Sequence, residues 1–312
     1  MESTEPSFKK MRSTVPIVDL HHDWRVKPEE TRLDFISSLP DAMLGEIVSR
    51  LSTKDAISTQ VLSSRWRSIW LASPLNLDCR EVPHHLVFND PVCSIFNFSE
   101  AVLSSHEGPV QRICFPACYF QCRPCAVDSW FQSKHLGKLQ CLELYQSDDA
   151  TPHRCPSITP SIPKSILRFS CSLHTANFSH CQLPVDLVQV LELPLLKRLG
   201  LVKVHISDAS LHSLIHTSCP TLECLLLVCN LDFRSLRINS STLTSIGIYS
   251  VGGELIIEDA MSLKRLLHDI CSCRFKLNVL SAPKLDTLGQ FFDCEFESSV
   301  TFGSTVCKVV PF

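Results

Sequence analysis

The chain has 312 residues, of which 45% are hydrophobic and 20% are charged, and its formal net charge at pH 7 is −3. The hydrophobic content is near the average for globular proteins, which excludes a chain that is mostly disordered. No basic excess is present and no apolar run approaches the length of a membrane span, so a dedicated nucleic-acid binder and a membrane protein are both excluded.

Seventeen cysteines and only nine glycines are the unusual features of the composition. An odd number of thiols, spread from Cys79 to Cys307, does not resemble the disulfide framework of a small secreted domain. The first twenty residues are polar and contain no apolar run of signal length. We therefore predict a soluble protein of the cytoplasm or the nucleus with reduced thiols. The glycines form neither common phosphate-binding motif, so no nucleotide cofactor is predicted.

Residues 1–34 are polar and without periodicity, and we predict that they form a disordered lead-in. Three short helices are predicted next. In residues 39–51, apolar side chains occur at positions 44, 47, 48 and 51, which share one helical face. A second helix is predicted over Lys54–Leu62, and a third follows the capping pair Ser63-Ser64, with Trp66, Ile69 and Trp70 on one face. So small a bundle is marginal alone, and we expect it to need a partner.

These helices carry a motif of known type. It combines Leu39-Pro40-Asp41, the apolar positions Leu44, Ile47, Leu51 and Val61, the pair Lys54-Asp55, and Ser64-Arg65-Trp66-Arg67 followed by Trp70. The segment resembles an F-box of the plant F-box/leucine-rich-repeat type, associated with an FBD domain in many relatives. The alternative is a helical hairpin that only caps the next domain.

The rest of the chain repeats itself in the pattern L-x-x-L-x-L-x-x-N/C-x-L. The first apolar positions of eight units are 110, 139, 173, 196, 222, 243, 263 and 285, and most spacings fall within the range of leucine-rich repeats. The last two units are degenerate, with His268 and Gln290 at the third apolar position. Helices are predicted over Cys93–Ser105 and, on the convex side, Ile206–His216. Residues 148–164 are predicted to be an inserted loop.

The predicted fold is therefore α+β overall. It comprises the disordered segment 1–34, a three-helix F-box at 35–73, a connecting segment at 74–108, and an α/β leucine-rich-repeat solenoid at 109–312 with short parallel strands on its concave face. By comparison with FBD-associated relatives, we expect the chain to lack the FBD domain and to end in an uncapped, apolar edge of low solubility.

Two groups of residues invite a metal or redox interpretation. Cys122 and Cys125 form a C-x-x-C pair, and Cys114 and Cys118 are placed four apart on a proposed strand, which would put both on one face. Cys118 also fits the N/C position of its repeat, as Cys181 and Cys271 do in theirs, where a small buried side chain is required. His212 and His216 are separated as on one helical face but lack the glutamate of H-E-x-x-H. We predict no metal and no catalysis, and the role of the four-cysteine cluster stays open.

The resemblance implies a function. The F-box of such proteins docks a Skp-type adaptor and, through it, the cullin and RING subunits of an SCF-type ubiquitin ligase, while the repeats bind the protein to be ubiquitinated. The predicted adaptor-binding residues are Leu39, Pro40, Leu44, Ile47, Leu51, Val61, Leu62, Trp66 and Trp70. For Trp66 and Trp70 two roles stay open: contact with the adaptor, or holding the third helix in place. The predicted substrate-binding residues are Lys197, Arg198, Glu223, Thr244, Lys264 and Arg265.

Three alternatives remain at this point. The chain is a leucine-rich-repeat scaffold without ligase assembly, an inactive truncated F-box product, or, because of its many thiols, a cysteine-dependent or metal enzyme. Neither nucleic acid nor membrane is predicted as a partner.

Overall fold

The structure is a computed structural model. It describes residues 35–81, 91–146, 159–230, 234–249, 253–269, 275–290, 298–302 and 305–309. The predicted disordered segment 1–34 lies outside these residues, as do most of the predicted loop 148–164 and Cys271. Met1–Leu39 and Pro40–Phe312 are two units, and the fold below is that of the second.

A bundle of three short helices opens this unit. Helix α1 spans Asp41–Ser49, α2 spans Thr53–Ser58 and continues as a 3₁₀ turn at Thr59–Val61, and α3 spans Ser64–Ala72. The side chains of Ser52 and Ser63 accept hydrogen bonds from backbone N–H groups in the first turns of α2 and α3, which fixes where these helices begin. The three predicted helices are therefore confirmed.

The strands follow a regular order along the chain. They are β1 (Leu75–Asp78), β2 (Val110–Pro116), β3 (Cys141–Tyr145), β4 (Thr175–Ser179), β5 (Arg198–Val202), β6 (Cys224–Val228), β7 (Ser235–Asn239), β8 (Ser245–Tyr249), β9 (Gly253–Asp259), β10 (Arg265–Asp269), β11 (Phe275–Val279), β12 (Thr287–Gln290), β13 (Ser298–Phe302) and β14 (Thr305–Val309). One sheet of nine strands has the order β1-β2-β3-β4-β5-β6-β8-β10-β12, and all its neighbouring pairs are parallel. Each of the eight predicted repeats supplies one strand to it, and β1 adds a ninth strand that the sequence did not predict.

The repeat leucines hold this sheet together by stacking in register. Leu199, Leu225, Ile246 and Leu266 are successive Cα partners on β5, β6, β8 and β10, and each is at most 2% exposed. His268 occupies the third apolar position of its repeat and is nevertheless buried. Leu288, the equivalent residue of the last strand β12, is 43% exposed. Burial of this row of apolar side chains, one from each strand, therefore fixes the register of the parallel strands.

A second sheet was not predicted. Its order is β14-β13-β11-β9-β7, parallel except for the antiparallel pair β13–β14. Buried side chains alternate along β7, at Leu236 and Ile238, whereas β9 buries the three consecutive residues Leu255–Ile257. Two or three apolar residues are too few to predict a strand from the sequence. The helix predicted over Ile206–His216 is confirmed as an α-helix at Asp208–Ser213 followed by a π-helical turn at Leu214–Ser218.

The remaining helices lie between the strands. They are α4 (Pro91–Ser105), α5 (Tyr119–Cys122), α6 (Pro124–Gln132), α7 (Val185–Val188) and α8 (Asp208–Ser213), with a π-helical turn at Leu214–Ser218 and 3₁₀ turns at Cys79–Glu81, Lys134–Lys138 and Lys164–Phe169. Helix α4 confirms the helix predicted over Cys93–Ser105. It packs through Phe96 against Tyr119 and Trp130 in a buried aromatic cluster around Phe115. None of the helices in the described part of the chain combines the length and apolar character of a membrane span.

Candidate interaction surfaces

The helical bundle exposes large apolar side chains to solvent. Met43 is 54% exposed, Ile47 42%, Val61 86% and Leu62 63%. We call these four residues the bundle surface. Apolar side chains of this size at high exposure in one small region are typical of a protein–protein contact. Three of them, Ile47, Val61 and Leu62, were predicted to bind an adaptor.

The other predicted adaptor-binding residues are less exposed than these, apart from Pro40. Leu44 is fully buried and presents no surface to a partner, so the prediction of a direct contact by Leu44 is corrected to a packing role. Trp66 and Trp70 are 7% and 4% exposed, which supports the second of their two roles, holding α3 in place. Pro40 is exposed and Leu51 half-buried, and Leu39, in the preceding unit, is also half-buried.

The bundle is joined to the nine-stranded sheet through hydrogen bonds at β1. The hydroxyl of Thr53, at the start of α2, donates to the carbonyl oxygen of Asn76 and accepts from the backbone N–H of Asp78, both at 2.8 Å. The Asn76 side-chain amide donates to the carbonyl oxygen of Ser49. At Gly108 a Cβ atom would lie 2.4 Å from the carbonyl oxygen of Ser73, so only glycine permits this close approach. The bundle is therefore continuous with the sheet.

One face of the nine-stranded sheet carries no repeat leucines, and we call it the open face. Side chains alternate between the two faces of a strand, so this face is formed by rows of residues that are Cα partners. Its first row is Asn76, Arg112, Cys141, Thr175, Arg198, Cys224, Ser245, Arg265 and Thr287. Its second row is Asp78, Cys114, Glu143, Asn177, Gly200, Leu226, Gly247, Leu267 and Gly289.

The N-terminal half of the open face contains an ion-pair network of two arginines and two carboxylates. Arg112 donates to Asp78 at 2.9 Å and to Glu143 at 3.1 Å, and Arg80 donates to Asp78 at 2.6 Å. The Asp78 side chain is only 6% exposed and that of Glu143 18%. Burial by itself raises the pKa of Asp78, but hydrogen bonds from Arg80 and Arg112 outweigh it and lower the pKa to about 2.

This lowered pKa predicts an acid-dependent loss of stability. The carboxylate of Asp78 titrates at about 2 in the folded chain, against an ordinary value of 3.8. A lowered folded-state pKa stabilises the fold above the ordinary value, and the stabilisation is lost as the pH falls through that range. We expect the difference in free energy of unfolding between the wild type and Asp78→Asn to shrink between about pH 4 and pH 2. Urea unfolding at several pH values measures it, and a constant difference would contradict the assignment.

The predicted substrate-binding residues lie along one edge of the open face. Lys197, Glu223, Thr244 and Lys264 each precede a strand, and backbone hydrogen bonds of 2.8–2.9 Å link them in that order. Arg198 and Arg265 are the first residues of β5 and β10. Lys197 and Glu223 form an exposed ion pair at 2.9 Å. The structure thus brings all six residues together in neighbouring strands, although their role as a binding site stays a prediction.

The four-cysteine cluster does not lie on one strand. Cys114 is on β2 and fully buried, and burial raises the pKa of its thiol. Strand β2 ends at Pro116, so Cys118 lies beyond it, before α5, and the prediction that the two thiols share a strand face is wrong. Cys118 and Cys122 are half-buried, and Cys125 is exposed. Cys181 is fully buried in its repeat, where burial raises the pKa of its thiol to about 12. In the described ranges, no group of three or more His, Cys, Asp or Glu side chains is arranged to hold a metal ion.

Comparison with known proteins covers both the bundle and the repeats. Residues 36–78 match the F-box domain model, and residues 127–310 match the model described as "FBD-associated F-box protein At5g56370, LRR repeats". Among relatives from Arabidopsis thaliana, F-box/FBD/LRR-repeat protein At2g04230 is 30% identical over 72% of this chain and 49% of its own length. FBD-associated F-box protein At5g44490 is 28% identical over 84% of this chain and 56% of its own length. The chain spans about half the length of the curated relatives it matches.

Proposed function

Because the chain belongs to the family of FBD-associated F-box proteins with leucine-rich repeats, we propose that it is the substrate-recognition subunit of an SCF-type ubiquitin ligase. In this role the bundle docks a Skp-type adaptor, which links the chain to the cullin and RING subunits. The nine-stranded sheet binds the protein to be ubiquitinated. The chain itself performs no chemistry in the assembly, since ubiquitin transfer belongs to the other subunits.

One observation carries this proposal. The F-box match, residues 36–78, coincides with the helices that expose Ile47, Val61 and Leu62. These helices cannot bury the three side chains within the bundle, whereas docking onto an apolar surface of an adaptor removes them from water. Burial of one such side chain is worth about 1.5–3 kcal/mol, so three of them supply a substantial binding energy. The hydrogen bonds of Thr53 then fix the bundle to the sheet that would hold the substrate.

Capture by a purified Skp-type adaptor tests the proposal. We expect the wild-type chain to bind, and Val61→Asp or Ile47→Asp to weaken binding at least tenfold, because an aspartate cannot be buried unpaired in an apolar contact. Val190→Asp is the matched control, since Val190 is 55% exposed and lies outside the bundle. It should bind like the wild type. Failure of the wild type to bind would reject the ligase role and leave a repeat scaffold as the function.

A further inference from the structure

Three arginines occupy the first row of the open face, but only one of them has carboxylate partners. Arg112 on β2 pairs with Asp78 and Glu143, the second-row residues of the two adjacent strands. Arg198 and Arg265 stand in the same row, on β5 and β10. In the described part of the chain neither forms an ion pair, and the Nε of Arg265 donates only to the neutral hydroxyl of Ser245 at 3.2 Å.

The residues beside these two arginines explain the difference. At the positions equivalent to Asp78 and Glu143, Arg198 has Asn177 and Leu226 as its neighbours. Arg265 has Gly247 and Gly289. Glu223 precedes Cys224, the Cα partner of Arg198 on the next strand, and its carboxylate is paired with Lys197. The C-terminal half of the open face thus has arginines in the same row as Arg112, but uncharged residues stand where Arg112 has carboxylates.

An apolar strip lies beside the two arginines. A Cβ at Gly247 would lie 3.0 Å from Cδ1 of Leu226, and one at Gly289 would lie 2.7 Å from Cδ2 of Leu267. The two leucines therefore lie flat across the neighbouring strands, and the glycines leave them room. Leu226 is 42% exposed, and the next row adds three half-exposed side chains: Val202, Val228 and Tyr249. The strip offers apolar area beside unneutralised positive charge.

We propose that this half of the open face binds an extended acidic segment of the substrate, whose apolar side chains pack on the strip and whose carboxylates pair with Arg198 and Arg265. The inference rests on the proposed function, in which the sheet holds the substrate. Arg198 and Arg265 are three strand steps apart, which is about 14 Å at about 4.8 Å per step and matches about four residues of extended chain. Aspartate or glutamate side chains suit this spacing better than a phosphate, because a phosphate dianion favours several arginines in one cluster.

Selection from a random library of displayed twelve-residue peptides, using the purified full-length chain, tests this inference. We expect the wild type to enrich peptides that contain Leu, Ile or Phe together with two or more Asp or Glu. An individual selected peptide should bind at least tenfold more weakly to the Arg198→Glu/Arg265→Glu double variant and to Leu226→Ser. Raising the salt concentration should weaken the wild-type complex.

Two controls keep the result interpretable. Lys164→Glu changes an exposed cation outside the nine-stranded sheet and should leave peptide binding unchanged. If the double glutamate variant does not fold, as judged by its thermal unfolding, Arg198→Gln/Arg265→Gln removes the charges more gently and should still lose peptide affinity. No enrichment, a pool without acidic preference, or equal binding to the double variants would overturn the inference. The selection uses no adaptor, so its failure leaves the test of the proposed function untouched.

Discussion

Replacement of Arg112 by alanine is expected to lower the free energy of unfolding by about 3 to 5 kcal/mol, the usual cost of removing one partner from a buried ion pair. Arg112 is the closest link between the two carboxylates of the network, because it donates to both Asp78 and Glu143 at 2.9–3.1 Å. Arg80 still reaches Asp78, but its nearest approach to Glu143 is 3.4 Å. Urea unfolding followed by tryptophan fluorescence measures the loss.

A matched variant separates burial from charge. Arg50 and Glu46 also form an Arg–carboxylate pair, but their side chains are 78% and 62% exposed, so Arg50→Ala should change the free energy of unfolding by no more than about 1 kcal/mol. Neutralising Arg112 and both carboxylates, with Arg112→Met, Asp78→Asn and Glu143→Gln together, should recover much of the stability lost by Arg112→Ala, since no buried carboxylate is then left unpaired and the remaining Arg80 side chain is 49% exposed. Equal losses for Arg112→Ala and Arg50→Ala would show that the network is effectively exposed.

The sequence predicted the nine-stranded sheet well because one apolar ladder defines it. Eight leucine-rich units recur at similar spacing, and the first seven bury the side chains at the same two positions of their strands, whereas Leu288 of the last unit is 43% exposed. Strand β1 has only Leu75 and Leu77 and stands apart from the repeats, so its signal was too short to recognise. The second sheet was missed for a related reason. Each of its strands contains just two or three apolar residues, and these strands do not belong to the leucine-rich units.

The functional surfaces were predicted less completely. A motif shows which residues a helix needs but does not distinguish those that pack inward, such as Leu44, from those that face solvent, such as Val61. On the sheet, the variable repeat positions Lys197, Glu223, Thr244 and Lys264 lie along one edge, and their role in binding stays a prediction. Arg112 forms ion pairs, whereas Arg198 and Arg265 form none with the residues that the structure describes. This contrast depends on which strands are neighbours, and that information is absent until the register is known.

The role of three glycines likewise becomes clear only once the strand register is known. Three of the nine glycines, Gly200, Gly247 and Gly289, lie in the second row of the open face. At each of them, a side chain from the preceding strand occupies the space that a Cβ would need. These glycines therefore make room for side chains of the neighbouring strands. Among the cysteines, Cys181 at the N/C position of its repeat is fully buried as a small apolar residue, whereas Cys118 at the same position of its own repeat is half-buried.

Thr53→Val is expected to weaken the junction between the bundle and the sheet without changing its volume. The Thr53 side chain is almost fully buried, and its hydroxyl satisfies both the carbonyl oxygen of Asn76 and the N–H of Asp78. Valine has the same shape but no hydroxyl, so two buried backbone groups lose a partner at about 1–3 kcal/mol each. We expect a total loss of about 2 to 6 kcal/mol in the free energy of unfolding.

Thr59→Val provides the control within the same helical segment. The hydroxyl of Thr59 donates at 2.7 Å to the carbonyl oxygen of Ala56, three residues earlier, and makes no bond to the sheet. Its replacement should cost no more than about 0.5 kcal/mol. Hydrogen exchange then locates the effect: in Thr53→Val, backbone amides of α1, α2 and β1 should exchange faster while those of β5, β6 and β8 stay protected. Uniformly faster exchange throughout the sheet would contradict a local junction, because it would mean that the bundle and the repeats unfold as one cooperative unit.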